Sequence, residues 1–178
     1  MIIIGIDPGT ICTGYGIIKL DSNEITIISH GVIKPPPFKP LSIKLEVIYD
    51  NLNKIIKQFC PDEFAIETAF YGKNVQSAMK IGYARGVSIL AAAHSKIPTT
   101  EYSPREIKKS VVGNGAASKK QVQYMIFHLL KLKNKKMAFD ESDALAVAVC
   151  HSFKLKSPIL KSKSWKDFIK ANPERVIS

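Results

Sequence analysis

Residues 1–10 read MIIIGIDPGT. The apolar run from Met1 to Ile4 shows no alternation, which suits a strand buried on both faces of a sheet. Asp7 then falls at that strand's carboxyl end, and Pro8, Gly9 and Thr10 supply turn chemistry directly behind it. A buried strand thereby delivers a carboxylate to the edge of a cleft. Most Asp-Pro-Gly segments only use the acid to accept turn amides, so further acids at the same edge are needed before Asp7 marks a site.

Working outward, TGYGIIKL and EITIISHGVIK are rich in Ile and separated by DSN, which predicts two more strands joined by a hairpin-like turn. PPPFKP stops regular structure. From Leu41, the residues Leu45, Ile48, Leu52, Ile55, Ile56 and Phe59 recur at three and four, the pattern of an amphipathic helix that Pro61 ends. EFAIE is a short strand, VQSAMKIGYARGVSILAAAH a long helix, and IPTTEY a strand closed by Ser103 and Pro104. REIKKSVV, a GNG break, a helix from Ser118 to about Leu132 and a last helix DALAVAVCH complete the order. Adjacent strands followed by alternating helices and strands predict an α/β protein, a mixed central β-sheet flanked by α-helices.

A chain of 178 residues holds one sizeable core. Its formal charge of +11 favours a polyanionic partner, nucleic acid first and an anionic membrane surface second. Cys12, Cys60 and Cys150 are odd in number and widely spaced, which argues against disulfides or a zinc site and fits a reducing cytoplasm. IIIGID is too short for a signal-peptide core, and no apolar run approaches a membrane span, so a cytoplasmic protein without membrane association is expected. From Lys154 onward there are seven Lys or Arg against two acids. The expected organisation is one folded domain over 1–153 and a basic extension over 154–178.

Further acids do arrive. In FAIET an apolar run again leads directly into an acid, Glu67, at a predicted strand end. If the two strands are neighbours, Asp7 and Glu67 share one sheet edge. AFDESDALAVAVCH adds Asp140 and Asp143, three apart and so on one face at a helix start, a pattern that also serves ordinary capping and dipole compensation. Glu141 should face elsewhere. Four carboxylates within ~4 Å of one another would cost about 4 kcal/mol per like pair at an effective dielectric of ~20. Either some protonate or divalent cations neutralise them, and an all-oxygen set favours Mg²⁺ or Mn²⁺ over zinc. That is the donor set of two-metal phosphoryl chemistry.

GIDPGTICTGYG, the acid in AIE, KNVQSAMKIGYARGV, EYSPREIKKSVVGNGAASKKQVQ and DESDALAVAVCH together resemble the RuvC family of bacterial Holliday junction resolvases, in order and spacing, to about His151. The resemblance implies a ribonuclease H-like fold, a homodimer, and paired nicking of four-way DNA junctions in recombination and repair, leaving 5′-phosphate ends. It implies metal-binding catalytic acids at Asp7, Glu67, Asp140 and Asp143, two Mg²⁺ per subunit with Mn²⁺ as a substitute, and RuvA and RuvB as branch-migration partners. It further implies that Phe70 engages unpaired bases at the crossover and that Lys108 and Lys119 act beside the cleavage site.

Around these positions, FYGKN has the composition of a nucleic-acid loop, which makes Tyr71 and Lys73 candidate DNA contacts beside Phe70. Arg105, Lys108, Lys109, Lys119 and Lys120 face only Glu106, and the Gly113-Asn114-Gly115 break between them lets amides and cations converge on phosphate. Lys109 and Lys120 could equally only screen charge. Ala78, Gly82 and Gly86 form a stripe of small residues in the long helix, packed either on the domain's own sheet or across a dimer. Actin-like ATPases and sugar kinases share the opening turn, but the second phosphate turn and adenosine motif they need are missing. A junction-binding scaffold without catalysis is disfavoured by the intact acids.

Overall fold

The computed structural model describes residues 1–22, 24–68, 75–132 and 137–156. Its strands are β1 (Ile2–Asp7), β2 (Thr13–Asp21), β3 (Glu24–Ile33), β4 (Glu63–Glu67) and β5 (Thr99–Tyr102). Its helices are α1 (Leu41–Phe59), α2 (Val75–His94), α3 (Pro104–Val112), α4 (Lys119–Leu129) and α5 (Phe139–Lys156). The strands form one sheet in the order β3-β2-β1-β4-β5. β1, β2 and β3 run antiparallel, while β4 and β5 are parallel to β1, so the sheet is mixed as expected.

Alternation along β1 explains the unbroken apolar run that opens the chain. Ile4 and Ile6 point to one side, where Ile48, Leu52 and Ile56 of α1 and the alanines of α2 cover them. Ile3 points to the other, against α3, α4 and α5. Both faces of the central strand are therefore dry, and a period-2 pattern has no solvent side to register.

α5 is the helix closest to the sheet. A Cβ added to Gly5 would lie 2.3 Å from the Ala144 carbonyl oxygen, and one added to Gly14 would lie 2.0 Å from that of Asp140. β1 and β2 thus meet α5 backbone to backbone, which only glycine permits. This contact sets how far Asp140 and Asp143 stand from the end of β1.

Helix ends differ from expectation in two places. The predicted run to Leu132 stops at Leu129 because Lys131 adopts the left-handed conformation and the Leu132 N–H donates to the Phe127 carbonyl at 2.9 Å. This is a Schellman turn, whose buried leucine prolongs the apolar pattern beyond the helix. α5 extends beyond DALAVAVCH at both ends and runs to Lys156, so the 153/154 boundary drawn from composition falls inside a helix. Lysines mark where the surface becomes basic, not where the backbone changes. The small-residue stripe also differs: a Cβ added at Gly82 or Gly86 meets nothing within 4 Å among the described residues, so the domain's own sheet does not pack there. No helix among the described residues is long and apolar enough to cross a membrane.

Candidate active site

Parallel pairing of β1 with β4 brings Ile6 opposite Ile66, so the next residue on each strand, Asp7 and Glu67, stands at the same carboxyl edge. Both belong to the alternation set of Ile3 and Ala65, which faces α5. A cavity of about 160 Å³ opens there, lined by Asp7, Glu67 and Asp143, by Lys108 and Lys119, and by the apolar side chains of Ile107 and Val122. Asp140 lies outside that lining but close enough to raise the pKa of Asp7, and it accepts a hydrogen bond from the Cys12 thiol.

Burial pushes the Asp7 carboxyl up to about 8, with the charges of Glu67, Asp143 and Asp140 adding to the shift and Lys119 opposing it. Burial and then Asp143 push Glu67 up to about 7, against Lys119 and Lys108. The Lys119 Nζ donates to Asp143 Oδ2 at 2.8 Å. Burial opposes that ammonium, but the bond and the surrounding acids lift its pKa above the ordinary value. Among the described residues no three Asp, Glu, His or Cys side chains already close into a coordination shell. What they form is a set of oxygen donors whose mutual repulsion is relieved by protons and by one ammonium group, and such a set fits hard divalent cations.

The lysines are placed by capping chemistry. Ser103 caps α3 and Ser118 caps α4, each with a reciprocal bond from the residue three on, Glu106 and Gln121. Caps of this kind stabilise a helix by about 1 kcal/mol. The start of α3 and the start of α4 both reach the cavity, where Pro104, Lys108 and Lys119 line it, while Lys120 stays exposed outside it. Arg105 lines a neighbouring cavity of about 590 Å³ with Lys108 and Asn114, its stem lying across Gly115. Phe70, Tyr71 and Lys73 lie outside the described residues.

One contact that sequence reasoning missed supports the acids: the pairing of Glu141 with His30. Glu141 turns away from the cavity, as expected, and bonds His30 Nδ1 on β3, tying the first turn of α5 to the sheet. His30 is in register with Gly16 on β2, on the face that α5 covers. The alternating glycines of TGYG were the available signal that a helix lies close on that face.

The family described as "Crossover junction endodeoxyribonuclease RuvC" matches residues 3–151. The chain belongs to the RuvC family. RuvC of Porphyromonas gingivalis is 44% identical over 182 residues, covering 98% of this chain and 96% of its own length. RuvC of Tolumonas auensis is 50% identical over 151 residues, covering 85% and 86%. The structure of Thermus thermophilus RuvC in complex with a Holliday junction substrate gives a TM-score of 0.82 at 29% identity, over 88% of this chain and 95% of that one. The fold is the ribonuclease H-like α/β arrangement, and membership of the RuvC family makes the chain a crossover junction endodeoxyribonuclease.

Proposed function

We propose that this RuvC-family chain resolves four-way DNA junctions by paired phosphodiester hydrolysis, with Asp7, Glu67, Asp140 and Asp143 as the acids that bind metal. The observation that carries the reading is the position of Asp7 and Glu67 on adjacent strand ends, titrating near 8 and 7 because burial and Asp143 oppose their charge. The RuvC family implies a divalent metal; two Mg²⁺ per subunit, with Mn²⁺ as a substitute, suit these oxygen donors. When bound, such ions activate water and stabilise the leaving oxygen. Lys108 and Lys119 hold positive charge at the cavity wall, where it can meet the scissile phosphate. Arg105 and Lys120 add phosphate contacts along the same surface, and Phe70, Tyr71 and Lys73 extend it to unpaired bases.

Two opposed strands need two symmetric sites, and a homodimer supplies them. Val75, Met79, Tyr83 and Leu90 are exposed on α2, at spacings that place them with Gly82 and Gly86 along one side. That stripe supports dimerisation through α2. Cytoplasmic recombination and repair, with RuvA and RuvB moving the junction, is the setting this activity suits. The basic segment after Lys156 would add phosphate contacts along the junction arms.

The test is incubation with a labelled four-way junction and a matched linear duplex, each with Mg²⁺ and with chelator. Symmetric, ligatable nicks in the junction alone, only with metal, are expected. Cutting of both DNAs alike, or cutting that survives chelation, overturns the reading.

A further inference from the structure

Phe38 is 99% exposed and directly follows three prolines. Pro35, Pro36 and Pro37 fix φ at three successive positions, Pro40 follows, and Pro35 is buried as the base of the loop. The Lys39 N–H donates to the Pro36 carbonyl at 3.4 Å, closing a turn with Pro37 and Phe38 at its corner. A lone exposed apolar residue needs no explanation. A phenyl ring carried on a proline-stiffened turn is different, because the backbone part of the entropy of presenting it to a partner is already spent in folding.

The turn stands at the catalytic edge. Ile33, the last residue of β3, is in register with Thr13, whose hydroxyl bonds Gly9 in the turn that follows Asp7. The Lys34 ammonium acts on the Cys12 thiol, which in turn bonds Asp140. From Lys34 the chain reaches Phe38 in four residues, a span of at most ~14 Å. Lys34 and Lys39 are both exposed, and the segment 34–40 contains no acid. A flat ring between two lysines pairs a surface for a base with charges for the flanking phosphates.

We propose that the turn from Lys34 to Lys39 is a second DNA-contacting element, in which Phe38 stacks on a base opened at the crossover while Lys34 and Lys39 hold the adjacent phosphates. This rests on the junction reading above. The chain's formal +11 makes DNA the occupant that fits the charge around the ring.

The experiment uses the full chain in chelator, with binding to a four-way junction and to a matched duplex followed over a range of salt, and with 2-aminopurine placed at the crossover. Phe38→Ala should weaken junction binding at least fivefold and duplex binding less than twofold, abolish the 2-aminopurine quenching seen with wild type, and leave the melting point unchanged. Phe38→Tyr should behave as wild type. Lys34→Ala and Lys39→Ala should each make the slope of log affinity against log salt shallower by ~0.9. Junction binding and quenching by Phe38→Ala equal to wild type, or equal losses on both DNAs, overturn the proposal alone. A wild type that binds duplex as tightly as junction overturns the junction reading and the proposal with it.

Discussion

The ammonium of Lys119 donates to Asp143 at 2.8 Å, although the two residues are 24 apart in the chain and on different helices. Lys119 also lowers the pKa of both Asp7 and Glu67. Lys119→Met should therefore raise both and leave less of the ionised form at neutral pH. Nicking should fall by about a hundredfold at pH 7, and the rising limb of the pH–rate profile should move to higher pH. Lys119→Arg should keep the limb in place. A uniform loss of rate across pH would show that Lys119 acts only through DNA contact.

Removing one acid should separate cutting from binding. Asp7→Asn should reduce nicking by more than about a hundredfold while junction affinity stays within about threefold, since the basic surface is untouched. Glu67→Gln and Asp143→Asn should do the same. In chelator at pH 8, Asp7→Asn should also melt higher than wild type, because an amide in that position has no charge to bury. Cleavage within tenfold of wild type would exclude Asp7 as a ligand.

The raised values of Asp7 and Glu67 set a pH dependence of stability. Unfolded, these groups lose their protons near 3.8 and 4.5; folded, near 8 and 7. Between those limits the native state binds more protons than the unfolded one, so stability falls as pH rises from about 4 to 8. Each group contributes a slope of at most about 1.4 kcal/mol per pH unit. Melting curves of chelated protein should show this decline, and saturating Mg²⁺ should flatten it at the alkaline end by binding the ionised form. A chelated protein that gains stability over that range would contradict the burial of these acids.

Gly14→Ala tests the contact between sheet and helix. The new methyl group would lie 2.0 Å from the Asp140 carbonyl oxygen, so β2 or the first turn of α5 must move. A loss of about 1–3 kcal/mol is expected, together with slower nicking, as Asp140 and Asp143 move with their helix. Normal stability and normal activity would mean that the close approach does not position the acids.

Much of this was legible in the sequence for a physical reason. Burial on both faces leaves an unbroken apolar run, and strands that end in turns expose the acid that follows, so Asp7 and Glu67 could be placed at strand ends before any pairing was known. The bounds of α2 were equally readable. What periodicity does not carry is distance across the fold. The bond from His30 to Glu141 joins residues 111 apart, and nothing local to either shows it. The end of α4 was obscured by its own hydrophobic cap. The stripe through Gly82 and Gly86 showed that something could approach closely, without showing that the molecule's own sheet lay elsewhere.

α5 packs against β1 and β2, although some 120 residues separate them in the chain. Its N-terminal end carries Asp140 and Asp143, two of the four proposed acids, and these are among the last residues of the domain to be synthesised. Asp7 emerges first and waits for partners that arrive at the end of translation. A polypeptide released early, before residue 140, lacks both the inner wall of the sheet and half of the acidic set. On the proposed assignment of the four acids, fragments that end before residue 140 should bind no metal pair and should not nick DNA, a consequence of chain order alone.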